Sequence, residues 1–238
     1  MALDVMYFEP YDEETFLDKQ ARERAIDFNL GWFMEPVFRG DYPFSMRSLV
    51  GNRLPYFRDD EKEKLVHSYD MMGLNYYTSM FAEHIDLSSG FSPTVNTDDS
   101  YANLQTGLYW LKLYPKGLKE LLMIMKDKYG NPPIYITENG TTVPYTLKSA
   151  LTSHFVVRLY IFLHTHIHIM ISDFCLCSLG AEVQGHFAWS LLDNFEWTNG
   201  YTPRFGLIYV DRDDGFKRYM KKSARWFSEF NRGPKKGL

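Results

Sequence analysis

Residues 134–140 read IYITENG. The apolar Ile134, Tyr135 and Ile136 follow the turn signal Asn131-Pro132-Pro133, so the stretch reads as a short buried strand that stops at Glu138, with Gly140 ending it. A carboxylate at the end of an apolar strand is costly unless it has partners or a chemical task. Working outward from it, a helix precedes it: Pro115 opens the segment, Leu118, Leu121, Leu122 and Met125 recur at helical spacing, and Gly130 closes it.

The same alternation extends in both directions. MMGLNYYTS gives a strand over about residues 72–78, after a short acidic-headed helix in DDEKEKLVHSY, residues 59–69. VQGHFAWSLLDNFEW, residues 183–197, is a third strand that breaks into an aromatic loop, and YMKKSARWFSEF, residues 219–230, closes the chain as an amphipathic helix. ETFLDKQARERAIDFN, residues 14–29, is a charged helix with Phe16, Ala21, Ile26 and Leu30 facing inward, and the Gly-, Pro- and aromatic-rich GWFMEPVFRGDYP that follows reads as a loop. Strands alternating with helices predict an α/β fold with a parallel sheet.

Composition narrows the function. The 238 residues are 45% hydrophobic and 24% charged, the balance of a globular domain, and the formal net charge of -4 disfavours nucleic acid and anionic membrane as partners. Cys175 and Cys177 are too close to staple the chain, and the N-terminus has no basic region followed by an apolar core, so no secretory signal is visible and the compartment stays open. No glycine-rich phosphate loop is present.

Each of the three strands carries polar or aromatic groups near its C-terminal end: Asn75 and Tyr77, Glu138 and Asn139, then Trp189, Glu196 and Trp197. In parallel α/β barrels that end holds the active site. One such residue alone is ordinary core packing; a carboxylate, amide, phenol and indole on successive strand ends suit carbohydrate, because indole faces stack on sugar C–H faces and carboxylates accept from hydroxyls.

YITENG, GLNYYTS and GHFAWSLLDNFEWTNGYTPRFGLIYVD resemble the closing motifs of glycoside hydrolase family 1, the retaining β-glucosidases, and LGWFMEPVFRGDYP is similar to its plant members. The resemblance implies a partial TIM (β/α)8 barrel, the last three strands and their helices, with the chain beginning just after the fifth strand. It implies retaining hydrolysis of a small-molecule β-glucoside with no metal or organic cofactor. Glu138 resembles the catalytic nucleophile, Tyr77 the phenol that hydrogen-bonds it and Asn75 a neighbour in the same subsite. Trp189 resembles the platform under the glucose ring, Glu196 the acceptor for its O4 and O6 hydroxyls and Trp197 a donor to O3. Trp110, in LYWLKLYP, matches a residue flanking the leaving-group side, and Phe205 an aromatic near O6.

Two departures from the family pattern stand out. A retaining glycosidase needs a second carboxyl group about 5–5.5 Å from the nucleophile. The family places it in a Thr-x-Asn-Glu-Pro motif, and this sequence has none; its Glu-Pro pairs are Glu9-Pro10 and Glu35-Pro36, and the latter lies in a segment that is not catalytic in the family. Residues 142–179 also fail to match the family while both flanks fit it, as translated retained intron or misassigned gene sequence would. His164, His166 and His168 alternate there and on a strand would share a face, but no carboxylate or Cys stands at ligand spacing, so no metal is assigned; the apolar run from Phe155 to Ile171 is too short and too interrupted for a membrane helix. Asn139-Gly140-Thr141 matches a glycosylation acceptor but adjoins Glu138, so it is read as coincidence.

Overall fold

A computed structural model of the chain describes residues 1–86, 88, 100, 102–105, 114–141 and 180–232. Trp110, and the whole of 142–179 with its four histidines and two cysteines, lie outside them. The chain divides into two compact units, Met1–Thr137 with Cys175–Gly185, and Glu138–Phe174 with His186–Leu238.

The first unit is built on a sheet. Its strands are β1 (Ala2–Pro10), β2 (Met72–His84), β3 (Ala102–Gln105), β4 (Ile134–Asn139) and β5 (Val183–Ala188), the unit boundary falling inside the last two. The order is β1-β2-β4-β5, with β3 antiparallel on β2. β1 and β2 run parallel, Ala2 opposite Gly73 and Pro10 opposite Ala82, with a register shift between Val5 and Tyr7. A parallel pair needs a long crossover. It is supplied by α1 (Phe16–Ile26), a π-helical turn (Asp27–Gly31), α2 (Trp32–Arg39), α3 (Phe44–Val50) and α4 (Asp59–Leu65), while α5 (Pro115–Lys128) lies between β2 and β4.

The α/β expectation holds. The expected three-strand count falls short, because β1 is a further strand: Val5, Tyr7 and Phe8 are at most 3% exposed, and the polar Glu9 that obscured the apolar pattern is buried against Tyr114 and Lys116 (2.8 and 2.7 Å). β2 is also longer than expected, since Tyr7–Pro10 and β3 pair with its second half, so Asn75 and Tyr77 sit inside the strand and not at its end.

Leu118, Leu121, Leu122 and Met125 of α5 are fully buried, as their spacing requires. On α1, Ala21 and Ile26 turn inward and Leu30 continues that face through the π turn, but Phe16 is 69% exposed, a correction to its inward assignment. The segment read as a loop is the helix α2, closed by Gly40 in the left-handed region (φ 80°), whose N–H donates to the Pro36 carbonyl at 2.9 Å. Here tertiary burial of Met34 and Val37 overrides the breaker signals of Gly31 and Pro36.

In the second unit, β6 (Ile208–Asp211) and β7 (Lys217–Met220) form an antiparallel hairpin that leads into α6 (Lys222–Asn231). Leu207 and Ala224 make a small core with Ala188 and Phe227 against them. Among the described residues, no helix is long and apolar enough to cross a membrane, and no cluster of three or more His, Cys, Asp or Glu could hold a metal ion.

Candidate active site

The second unit gathers five of the eight residues singled out from the sequence. Glu138 is partly buried near the end of β4, and the next residue pins the strand: the Asn139 carbonyl accepts the Trp189 N–H at 2.7 Å. A Cβ on Gly140 would lie 2.0 Å from the Trp189 carbonyl oxygen, so only glycine allows the two backbones to meet there. Asn139 is 3% exposed, which agrees with discounting the glycosylation motif.

Trp189 is partly buried directly after β5, and its peptide bond to Ser190 is cis. Its indole Nε1 donates to Glu196 Oε2 at 3.3 Å. Glu196 is 6% exposed, and its other oxygen, Oε1, is buried with no hydrogen-bond partner among the described residues. Burial pushes the Glu196 carboxyl above its ordinary value; the Trp189 and Asn194 donors pull it back, and the charges of Asp193 and Glu138 raise it again. A carboxylate in that state is short of donors.

Trp197 lies in a tight turn in which the Glu196 N–H donates to the Gly200 carbonyl at 2.7 Å; its φ is 51° and it is 79% exposed, so its ring is open to a ligand. Phe205 is 4% exposed, and its carbonyl accepts the Ser190 N–H at 3.3 Å. The chain thus folds its aromatic loop back so that Trp189, Glu196 and Phe205 share one hydrogen-bonded framework.

Asn75 and Tyr77 belong to the first unit. Both are partly buried on one face of β2, while Tyr76 between them points into the core, where its hydroxyl meets Ser79 and the Tyr114 carbonyl. The Thr137 hydroxyl, one residue before Glu138, donates to Asn75 Oδ1 at 2.6 Å. Trp110 lies outside the described residues.

Glu35 has another occupation. It is 8% exposed and accepts from Arg39 (2.7 Å), Lys128 (3.2 Å) and Tyr129 (3.2 Å), and Lys128 also reaches Asp27 at 2.9 Å. Burial alone would depress the Lys128 ammonium; Asp27, Tyr129 and Glu35 outweigh it and raise its pKa. This node ties α2 to α5. Residues that sequence reasoning passed over are Asp193, Arg204, Arg212 and Lys221, which surround the aromatic loop; Asp193 lay inside the motif LLDNFEW but gave no local sign of its partners.

The sequence pattern of Glycosyl hydrolase family 1 matches residues 1–236. A wheat (Triticum aestivum) 4-hydroxy-7-methoxy-3-oxo-3,4-dihydro-2H-1,4-benzoxazin-2-yl glucoside beta-D-glucosidase 1d is 54% identical over 99% of this chain, which covers 43% of that protein. Avenacosidase 2 of oat (Avena sativa) is 54% identical over 97% of the chain and 42% of its own length. The chain therefore spans less than half the length of these curated relatives. Among solved structures, a rice β-glucosidase matches with TM-score 0.85 and 36% identity, over 95% of this chain and 50% of the other. A β-glucosidase of the fungus Humicola insolens, in complex with glucose, matches with TM-score 0.84 and 33% identity, over 97% and 50%.

Proposed function

The chain belongs to glycosyl hydrolase family 1, and from that premise we propose that it carries the nucleophile and much of the glucose subsite of a retaining β-glucosidase, as the C-terminal part of a single (β/α)8 barrel. On this reading β1, β2, β4 and β5 are successive barrel strands, one more than the sequence alone suggested. The substrate class is β-D-glucosides, and the reaction uses side chains without a metal or organic cofactor.

The observation that carries the reading is Glu196. One of its oxygens is held by the Trp189 indole, and the other is a buried acceptor with no donor among the described residues. Sugar hydroxyls are donors of the required kind, and the O4 and O6 hydroxyls of glucose fit that role. Trp189 then lies under the ring, Trp197 donates to O3 and Phe205 borders O6. Glu138 attacks the anomeric carbon, the glycosidic C–O bond breaks, and a glycosyl ester forms, to be cleaved by water. By the family resemblance, Tyr77 takes the role of the phenol that serves the nucleophile, Asn75 that of its neighbour and Trp110 that of the leaving-group residue. The leaving oxygen takes its proton from an acid that no Thr-x-Asn-Glu-Pro motif supplies here. For the chain by itself this favours a second reading, a sugar-binding or partner-binding remnant that does not turn over.

The test is a chimera in which the upstream part of the wheat relative is joined to this chain and treated with a 2-deoxy-2-fluoroglucoside carrying a dinitrophenolate leaving group, which needs no acid. Peptide mapping should find the glucosyl adduct on Glu138. An adduct on another carboxylate, or none, removes the assignment.

A further inference from the structure

Asp193 stands in the chain between Trp189 and Glu196, and its side chain is completely buried. Oδ1 accepts the Gly206 N–H at 2.9 Å and the Lys221 ammonium at 3.0 Å; Oδ2 accepts the Val210 N–H at 3.3 Å and lies 3.5 Å from the Arg204 guanidinium. Its main chain is held as well: the N–H donates to the Ile208 carbonyl at 3.0 Å, and the carbonyl accepts from Arg212 at 3.4 Å. Arg212 in turn lies 3.8 Å over the Tyr201 ring, across the turn that presents Trp197.

These partners come from the far end of the loop, from β6 and from the start of α6, so one carboxylate fastens the whole aromatic loop to the hairpin behind it. The neighbouring backbone is tight enough that a Cβ on Gly206 would lie 2.1 Å from the Asp193 nitrogen. A buried ion pair is rarely the most stable filling for a core, and its best-attested use is to hold one conformation against alternatives. Lys221, 4% exposed, has its charge disfavoured by burial and favoured by Asp193, so the pair stands or falls together.

We infer that Asp193 is a positioning residue: it touches no sugar, and it fixes the loop that places Trp189, Glu196 and Trp197 relative to one another. The functional meaning of that arrangement rests on the glucose-subsite reading above. The loop geometry can be tested separately. Replacing Asp193 by Asn keeps an acceptor for one backbone N–H and leaves the Lys221 ammonium buried without a counter-charge.

The experiment uses the full chain labelled with 5-fluorotryptophan, whose five tryptophans are assigned by single Trp→Phe substitutions. In Asp193→Asn the fluorine resonances of Trp189 and Trp197 should shift or broaden, while Trp32 in the first unit and Trp226 on α6 keep theirs. Unchanged Trp189 and Trp197 resonances overturn the proposal. If Trp226 is lost as well, the double variant Asp193→Asn with Lys221→Met decides, since it removes the uncompensated ammonium. Trp226 restored with Trp189 and Trp197 still displaced supports the positioning role; all resonances as in the parent, or Trp226 still missing, overturn it. Glucose added to the parent chain forms a separate arm: no response at Trp189 counts against the subsite reading and leaves the result on loop order standing.

Discussion

The indole of Trp189 and the carboxylate of Glu196 form a 3.3 Å hydrogen bond that engages one carboxylate oxygen and leaves the other buried beside it. Seven positions separate the two residues, and the reversal of the chain between them creates the contact. The bond also opposes the rise that burial imposes on Glu196, so the same donor orients the acceptor and favours its charged form.

Trp189→Phe keeps the aromatic face and deletes the donor. A hydrogen bond to a charged group contributes about 1.5–3 kcal/mol, so glucose binding by the chimera should weaken about 10- to 100-fold at pH 7. With a donor gone, the Glu196 carboxyl is raised further and takes up its proton at a higher pH, so the fall in affinity on acidification should begin earlier than in the parent. Calorimetric titrations between pH 5 and 8 read both effects, and an affinity equal to the parent's would rule out the assigned role.

His186 on β5 has buried ring nitrogens, and burial pushes its pKa from 6.5 down to about 4. The unfolded chain therefore takes up the proton first as pH falls. The contribution is complete above pH 6.5 and is lost as pH drops from 6.5 towards 4, to a total of about 3 kcal/mol. Glu196 works in the opposite sense: its raised pKa penalises the folded state at high pH, and the penalty lifts as pH falls through that raised value. His186→Gln should flatten the acid limb of a stability–pH curve measured by urea unfolding. A limb of the same slope in that variant would place the acid sensitivity elsewhere.

Glu35→Ala separates structure from catalysis. It strips the acceptor shared by Arg39, Lys128 and Tyr129, of which Arg39 and Lys128 are partly exposed, so the loss should be about 1–3 kcal/mol, less than for a wholly buried pair. Urea unfolding followed at Trp32 measures it. Fluoroglucosyl labelling of Glu138 in the chimera, which needs no acid, should continue in this variant, and its abolition in a folded protein would show that Glu35 supports the nucleophile and not the fold alone.

What the sequence made legible follows from the range of the forces involved. Leu118, Leu121, Leu122 and Met125 declare their helix because a single buried stripe sets their spacing. β1 stayed hidden because Glu9 breaks its apolar pattern, and the partners that make Glu9 tolerable, Tyr114 and Lys116, lie more than 100 positions away. α2 was lost to Gly31 and Pro36, local breaker signals that its buried contacts override. Within the site, Trp189 and Glu196 were visible through a motif, whereas the hold of Lys221 and Arg204 on Asp193 comes from a separate hairpin and helix and leaves no mark near residue 193.

The chain alone should not hydrolyse an unactivated β-glucoside at a useful rate. Departure of an alkoxide needs a proton, and a positioned general acid contributes about 10²–10⁴-fold. Among the described residues, the carboxylates that act on one another in the candidate site are Glu138, Asp193 and Glu196; Asp193 is buried against Lys221, and Glu196 is engaged with Trp189 and, on the proposed reading, accepts from a sugar and does not protonate its leaving group. Glu9 and Glu35, the carboxylates that precede prolines, are both tied into ion pairs in the first unit. An activated aryl glucoside avoids the need for an acid but still requires Glu138 to be held for in-line attack, which depends on orientation supplied by its neighbours. The assay compares a nitrophenyl glucoside with cellobiose, with Glu138→Gln as the blank. Cellobiose should survive, and any nitrophenol release should vanish in the blank. Cleavage of cellobiose that depends on Glu138 would mean that another carboxyl group of this chain serves as the acid.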